Sequence, residues 1–460
     1  MSILASLAAW IFVALVYRSD AKNHPKQSGA LWLPVLWMMR CGSRGVDNWI
    51  GGGENGRLDP IVIAVLLALG FFALLRRPCQ WSRIFAHNSA ILIFYGYIIA
   101  SLSWVETLDN PWIKMLRPLG DLIMALLVAT DPEPFRAIST LFRRTAILLI
   151  PMSVVLVKYY PHLGRAQDKH WGSDPWIGVA THKNPLGQLC MVSAFAFIWS
   201  LVQAHRDGKK LRTQRLSWLY LGLTAYLMFC GGEESRSSTS ILCLFLAMGL
   251  FCIFSFLRKM IQKIMRWMTI GAVSILVIAL VLQVTGSSLQ AVVAESFGKD
   301  PTLTDRTFLW DDVIRIGMKS PLIGSGYGGF WVDSIYSQLS DKVDNRPMEA
   351  HNGYLETFAN LGFIGLGLLA CVIIRSIASA ARTIVVDFEY GCLRLSLLIM
   401  VVVMNWSEAT FPRGTHLWWY GFLVVAVYAK PWVNWPAAED ASEHDGSLEK
   451  LRFPRQEALI

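Results

Sequence analysis

Charged residues are scarce in this chain of 460 residues. Asp, Glu, Lys and Arg make up 16% of it, whereas a soluble globular chain carries about 25%. Hydrophobic residues, 54% of the total, gather into long runs, which include 186–202, 241–257, 270–284 and 361–374. A helix of about 20 apolar residues crosses a bilayer and satisfies its own backbone hydrogen bonds there. The composition therefore predicts an all-α integral membrane protein.

Signals for several kinds of site are missing as well. The eight cysteines show no metal-ligand spacing and imply no disulfide framework. The sequence has no Asp-Xaa-Asp motif that would suggest a Mg²⁺ site. No basic stretch has the aromatic interleaving of a nucleic-acid binder, so no nucleic-acid partner is predicted. The net charge of +9 is attributed instead to membrane topology.

Runs of membrane-spanning length predict about 12–13 transmembrane helices. They lie near 3–17, 29–41, 60–75, 88–105, 112–130, 141–158, 178–204, 216–231, 237–257, 267–285, 353–375, 391–406 and 414–430. The first two are short. The second contains Pro34, which leaves a re-entrant segment open as an alternative to a full span. The first run has no basic residue before it and no small-residue cleavage site, so we expect a retained helix.

Lys and Arg in the short loops predict the orientation. The loop 205–215 carries five of them and the loop 258–266 carries four. If the spans alternate, these loops share one side, which is then the cytoplasm. The segments that would face the periplasm are 42–59, 159–177, 231–236 and 286–352.

We therefore predict four parts of the chain. They are an N-terminal transmembrane bundle (1–285), a large periplasmic loop (286–352), C-terminal transmembrane helices (353–430) and a cytoplasmic tail (431–460).

The periplasmic loop is too long for a passive turn, and loops of that size are usually functional. Thr304 and Asp305 can cap a short helix that runs to about Lys319. A glycine-rich turn at 320–329 and a second short helix at 333–341 are expected to follow. The loop then ends at His351 and Asn352, where the next span begins.

His351 is the candidate for a catalytic base. It shares roughly one helical face with Leu355, Gly362 and Gly365, and the glycines would allow a neighbouring helix to pack closely. The positive end of a helix disfavours imidazolium, so a histidine there tends to stay neutral and can accept a proton from a hydroxyl. The alternative is a histidine that only caps an interfacial helix.

Cations cluster on the same predicted face. Arg306 lies in the first turn of the loop helix, and Arg236 lies in the polar segment 233–240 that opens another span. Free backbone N–H groups, hydroxyls and Arg236 together could bind a pyrophosphate. For each arginine the alternative is contact with lipid headgroups.

A further group of basic residues is expected near another helix mouth. Lys183 would be costly within hydrocarbon, so its position suggests an anionic partner, again with a headgroup contact as the alternative. His182 and Arg165 lie close to it in sequence, and Arg44 is a weaker addition on the same face. Together these clusters describe a site for a lipid pyrophosphate beside a base. Protein cations rather than a metal would stabilise the leaving group.

Several of these motifs resemble the O-antigen ligase and Wzy-type polymerase superfamily. His351-Asn352, followed after nine residues by Gly362-Phe-Ile-Gly365, is similar to its histidine signature. Arg306-Thr-Phe-Leu-Trp310 and Ser320-Pro-Leu-Ile-Gly-Ser-Gly326 are similar to the segment before that histidine. Asp305 departs from the pattern, because relatives often have glycine there.

Other motifs resemble the exopolysaccharide-production (ExoQ-type) branch. The resemblance covers roughly residues 30–430. The motifs of this branch are Lys158-Tyr-Tyr-Pro161, Gly164-Arg165, His182-Lys-Asn-Pro-Leu-Gly187 and Asn405-Trp-Ser-Glu408.

The resemblance implies a GT-C-type membrane glycosyltransferase that uses a polyprenyl-pyrophosphate donor, inverts the anomeric carbon and needs neither metal nor cofactor. It implies that His351 is the base and that Arg306 and Arg236 bind the pyrophosphate. We assign Lys183 to the same pyrophosphate. The supporting residues are Arg44, Arg165, His182, Asn352 and Glu408.

The function predicted from these motifs is polymerisation of lipid-linked oligosaccharide repeat units into exopolysaccharide or O-antigen at the periplasmic face of a bacterial inner membrane. Transfer of O-antigen to lipid A–core by a ligase is the alternative within the same chemistry. A flippase or transporter of lipid-linked sugars is the alternative from another class. Expected partners are the lipid-linked oligosaccharides, membrane lipids, a chain-length regulator and a flippase.

Overall fold

The structure is a computed structural model of the chain. It describes residues 2–23, 28–50, 57–106, 111–166, 174–206, 208, 214–256, 271, 306–340, 343, 346–430 and 433. The predicted span 267–285, apart from residue 271, and the start of the periplasmic loop lie outside these residues. So does the predicted tail, except for Val433.

The described residues are predominantly helical, which confirms the all-α prediction. Two isolated β-bridges are the extent of β structure among them. The helices up to the middle of the chain are α1 (Ser2–Asn23), α2 (Trp32–Cys41), α3 (Val46–Trp49), α4 (Leu58–Leu75), α5 (Trp81–His87), α6 (Ser89–Ser101), α7 (Pro111–Ala129), α8 (Pro134–Tyr159) and α9 (Pro161–Gly164). The others are α10 (Lys183–Arg206), α11 (Arg215–Phe229), α12 (Ser238–Phe256), α13 (Arg306–Gly317), α14 (Asp333–Tyr336), α15 (Gly353–Val386), α16 (Phe388–Met404) and α17 (Leu417–Ala426).

Among the described residues, a helix is present in every predicted span, and 267–285 lies outside them apart from residue 271. By length and composition, five of the described helices are able to cross a membrane, namely α1, α4, α8, α10 and α15. The count becomes six if α5 and α6, which meet at a bend of 80°, form one broken span. The apolar helices α12 and α17 are shorter. A multi-pass membrane protein is therefore confirmed, whereas about 12–13 crossings stays a prediction.

The short helix α2 is buried in the bundle. Its 10 residues extend only about 15 Å, half of the hydrocarbon thickness. Pro34 lies in its first turn, where a proline is tolerated. The indole N–H of Trp37 donates to buried Asp121 across 2.7 Å and fixes α2 against α7. The length fits the re-entrant alternative better than a full span.

Helix α15 is broken at Gly362, and the glycine-rich turn of the loop packs against the break. Gly362 has φ +64° and ψ −167°, a conformation that strongly favours glycine. A Cβ there would lie 2.3 Å from the Leu322 carbonyl. The N–H groups of Phe363 and Ile364 donate to the carbonyls of Pro321 and Leu322 across 2.8 and 3.1 Å.

This break corrects two expectations from the sequence. His351, Leu355, Gly362 and Gly365 do not share one continuous helical face, because the axis is interrupted between them. The glycine at the break packs against the loop 320–329 rather than against a neighbouring helix, since the loop carbonyls bind the backbone groups that the break leaves open.

A small second core holds the described part of the loop 286–352 on the first turns of α15. It contains Leu309, Trp310, Val313, Ile316, Phe330, Ala350, Leu355 and Ala359. The indole N–H of Trp310 donates to the carbonyl of Ala350 across 2.8 Å, next to His351. Helix α13 confirms the first predicted loop helix, although Thr304 and Asp305 lie outside the described residues.

The second loop helix is shorter than predicted. Instead of 333–341, α14 covers Asp333–Tyr336. The chain beyond it is bound to α13. The N–H of Ser340 donates to Asp312 across 2.7 Å, and Arg315 donates to the Gln338 carbonyl across 2.6 Å. These bonds draw the backbone away from the helical path.

Candidate active site

His351 lies just before α15 but does not cap it. Asn352 is the N-cap, and its side-chain oxygen accepts from the N–H groups of Tyr354 and Leu355 across 3.0 and 3.1 Å. The Asn352 amide also donates to the Trp406 carbonyl, which joins α15 to the loop after α16. Because Asn352 satisfies the helix start, the capping alternative for His351 is not what the structure shows.

The backbone of His351 is held in an unusual conformation. Its φ is +49°, in the left-handed region that non-glycine residues adopt rarely. Such conformations persist when the surrounding structure enforces them, and they concentrate at functional sites. Here the Asn352 cap follows His351, and the Trp310 bond to Ala350 precedes it.

Glu349 and Arg413 lie beside the imidazole. The His351 Nδ1 atom is 2.9 Å from Glu349 Oε1. The other carboxylate oxygen of Glu349 forms an ion pair with Arg413. Among the described residues, Nδ1 has no hydrogen bond of good geometry. The three side chains form a row in which the carboxylate lies between the guanidinium and the imidazole.

Glu408 also lies close to the histidine. Donor atoms of Glu349, His351 and Glu408 all lie within 4.8 Å of one another, a spacing that could hold a metal ion. Glu349, however, is already paired with Arg413. Asn184 donates to Glu408 Oε1 across 2.9 Å and links α10 to the site. The absence of a metal from the reaction therefore stays a prediction.

Arg306, on α13, belongs to the same cluster. Its guanidinium donates to the carbonyl of Ser407 across 2.7 Å, one residue before Glu408. Burial lowers the pKa of His351, and the charge of Arg306 lowers it further, while Glu408 and Glu356 oppose both. The sequence predicted that the helix N-terminus would keep the imidazole of His351 neutral. In the structure, burial and the charge of Arg306 have the largest lowering effects on its pKa. The surroundings favour a ring that can accept a proton.

The carboxyl of Glu408 is also shifted. Burial raises its pKa, whereas Arg306, His351 and the hydrogen bond from Asn184 lower it. Burial also lowers the pKa of Arg306, although Glu408 raises it. An imidazole, a buried carboxyl and a cation thus lie together near the starts of α10, α12 and α15.

Arg236 has its contacts outside this cluster. Its exposed guanidinium donates to the Phe229 carbonyl, with distances of 3.3 Å from Nε and 3.0 Å from Nη2. Three residues later, the Thr239 hydroxyl lies 3.2 Å from the Ser407 hydroxyl. The start of α12 and Arg306 therefore both contact Ser407.

The remaining predicted residues are placed less directly. Lys183 and His182 are exposed at the start of α10, two positions or fewer from Asn184. Arg44 donates to the carbonyls of Gly178 and Ala180 across 2.7 and 3.1 Å. Arg165 donates to the Val157 carbonyl across 3.2 Å. Arg44 thus holds the loop before α10, whereas Arg165 binds the end of α8. Their supporting role toward the substrate stays a prediction.

Sequence reasoning missed Arg413 and the pairing of Glu349. Glu349 stands two residues before His351, which was a signal in the motif itself. Arg413 lies in the Phe-Pro-Arg-Gly turn between α16 and α17, where a lone arginine in a polar turn gave no signal. Ser407, which contacts both α12 and α13, gave no signal beyond its place in the Asn405-Trp-Ser-Glu408 motif.

Comparison with known proteins matches part of the chain that contributes to the candidate site. Residues 223–370 match the family model described as O-Antigen ligase. The matched region contains Arg236, Arg306 and His351.

A curated relative, "Exopolysaccharide production protein ExoQ" of Rhizobium meliloti (strain 1021), is 29% identical over 221 residues. The matched segment covers 45% of this chain and 46% of that protein, so the chain spans about half the length of this relative. The two comparisons confirm that this multi-pass membrane chain resembles the O-antigen ligase superfamily and its ExoQ-type branch.

Proposed function

We propose that this protein is a membrane glycosyltransferase that polymerises polyprenyl-pyrophosphate-linked oligosaccharides. The observation that carries the proposal is the cluster of His351, Glu408 and Arg306, in which a base adjoins a cation at a helix mouth. The curated relative is named for exopolysaccharide production, which supports a polymer as the product.

In the proposed reaction, a hydroxyl of the next repeat unit attacks the anomeric carbon of the growing glycan. The imidazole of His351 takes the hydroxyl proton while the new glycosidic bond forms. The bond from the anomeric carbon to the phosphate oxygen breaks, and the polyprenyl pyrophosphate leaves with the electron pair. Attack opposite the leaving group inverts the anomeric carbon.

The leaving pyrophosphate gains charge, and cations near it stabilise the transition state. Arg306 is the proposed principal contact because it already lies against the His351 cluster. Arg236 and Lys183 are proposed to complete the contact from α12 and α10. Arg236 would exchange its neutral Phe229 carbonyl for an anionic oxygen, which forms the stronger hydrogen bond.

Glu349 and Arg413 are proposed to position the base rather than to react. A carboxylate beside Nδ1 favours the tautomer that carries its proton there, which leaves Nε2 free to accept another. Arg413 holds Glu349 in that place. Glu408 is the alternative base, because its burial raises its pKa towards the working range.

Two other functions remain as alternatives. A ligase would use the same site to transfer finished O-antigen to lipid A–core, and the family description favours it. A transporter usually places charges in broken helices near the bilayer midplane and often has inverted repeats. Here the predicted substrate residues gather at helix mouths, and the sequence shows no repeat, which argues against transport.

Deletion of the gene, with analysis of the cell's glycans, tests the proposal. We expect loss of the polymer and accumulation of single lipid-linked repeat units at the periplasmic face. Finished polymer left on its lipid carrier would instead identify a ligase. Repeat units trapped at the cytoplasmic face would identify a flippase. A chain-length regulator and a flippase are proposed as working partners.

The proposed site faces the periplasm from the inner membrane. The basic loop 205–215 marks the cytoplasmic side, so a cysteine introduced at Gly208 should be protected from an impermeant reagent in whole cells. A cysteine at Ser337, an exposed residue near the loop helices, should react without lysis. Reaction at 337 only after lysis would place the site on the wrong face for this function.

A further inference from the structure

A cavity of about 330 Å³ lies between the end of α6 and the periplasmic loop. Its walls come from the 3-10 turn after α6, the end of α13, the glycine-rich turn and the region of α14. The volume is in the lower range of cavities that bind small organic ligands. No residue of the proposed catalytic cluster lines it.

The lining combines an aromatic ring with both donors and acceptors. Trp104 lines the cavity, and its buried indole N–H has no hydrogen-bond acceptor among the described residues. Lys319 contributes an ammonium group that is bonded to the side-chain oxygen of Gln338. Glu106 is exposed and adds a carboxylate. The indole nitrogen of Trp104 is shielded from solvent, so this residue contributes its ring to the cavity.

This set of groups fits a sugar better than the other ligands of a membrane surface. A sugar ring offers an apolar face for an aromatic side chain and hydroxyls that both donate and accept. A phosphate headgroup would gain from Lys319 but would be repelled by Glu106. An acyl chain would lie against the charges of Lys319 and Glu106, which an apolar group cannot match.

The cavity is rigidly joined to the proposed catalytic histidine. Ala359 lines it and lies on α15 roughly 9 Å along the helix from Gly353, which follows His351 and the N-cap Asn352. Next to the lining residue Phe330, the Trp331 indole donates to Glu356 across 2.9 Å. The same carboxylate accepts from the N–H of Ala350, also across 2.9 Å.

We propose that this cavity is a saccharide subsite that binds one sugar residue of the lipid-linked glycan, away from the bond that is formed. The proposal rests on the proposed glycosyltransferase function. A repeat unit of several sugars can extend from His351 to the cavity. Such a subsite would select the repeat unit and fix its orientation without taking part in the proton transfer.

The test uses the full-length protein in nanodiscs and the soluble oligosaccharide released by mild acid from the strain's repeat unit. Trp104→Ala should weaken binding of this oligosaccharide roughly tenfold, because it removes the ring contact. Trp104→Phe should recover part of the affinity. Trp218→Ala, which removes an exposed tryptophan of α11, is the matched control and should bind as the wild type does.

Polymerisation assays separate this inference from the proposed function. With the lipid-linked unit, Trp104→Ala should raise KM and leave kcat nearly unchanged. Wild-type affinity and KM in both Trp104→Ala and Glu106→Gln would overturn the subsite while polymerisation itself continues. Copurification of a phospholipid that depends on Trp104 would also overturn it. Failure of the wild type to extend any glycan would instead overturn the proposed function.

Discussion

Replacement of His351 by glutamine is expected to lower the rate of glycan transfer by roughly 10²–10⁴-fold. Glutamine keeps a hydrogen-bonding group but cannot accept the hydroxyl proton. Because a polymer needs many successive transfers, long product should disappear entirely. The measurement uses purified protein and a synthetic lipid-linked repeat unit, with separation of products by length.

His351→Ala should be as inactive as His351→Gln, while both variants keep donor binding and the wild-type Tm within a few degrees. His205→Gln replaces an exposed histidine at the other end of α10 and serves as the control, with full activity. Strong polymerisation by His351→Gln would show that the ring only shapes the site. Glu408→Gln would then be the next variant to test as the base.

The pH profile provides a second readout of the same base. The imidazole works when it is neutral, so the rate should fall as pH falls through its pKa. Burial and Arg306 lower that pKa below the ordinary value of about 6.5, so activity should persist into mildly acidic solution. The rate should be unchanged by EDTA if the transfer is independent of metal, and loss of the rate in EDTA would favour an ion at Glu349, His351 and Glu408.

Replacement of Arg306 by alanine is expected to lower turnover at least about tenfold. The variant removes charge-assisted hydrogen bonds that strengthen as the pyrophosphate leaves. Arg306→Lys should recover only part of the rate, because the ammonium lacks the planar pair of donors. Arg346→Ala, which removes an exposed arginine of the same loop, is the matched control.

Arg306→Ala should also move the acidic limb of the pH profile to higher pH. Removal of the cation takes away one of the two causes that lower the pKa of His351, so the ring protonates earlier as pH falls. A general loss of structure would lower the rate without moving the limb in this direction. Full activity of Arg306→Ala at normal protein level would remove this residue from the site.

The location of the membrane helices could be predicted because it depends on local composition. An apolar run of sufficient length forms a helix in lipid whichever neighbours it has, since each helix satisfies its own backbone. The structure therefore has a helix at every predicted span among the described residues. The ends were less predictable. For example, α10 begins at Lys183 rather than near 178, because the preceding turn is held by Arg44.

The histidine and the cation beside it could also be predicted, because the motifs around His351 and Arg306 lie in continuous stretches of sequence. Their roles toward substrate stay predictions. The matching family model covers both residues and supports the resemblance from which those roles come.

Tertiary structure alone decided the partners of the histidine. Arg413 is far from Glu349 in the chain, and its approach depends on how the turn after α16 packs beside α15. Asn184 reaches Glu408 from α10 for the same reason. Likewise, the break at Gly362 exists because the loop 320–329 supplies carbonyls to its free N–H groups. The sequence by itself determined which segments are helical and which residues carry the motifs. Long-range packing determined which side chains meet, because hydrogen bonds and ion pairs form only at short distance.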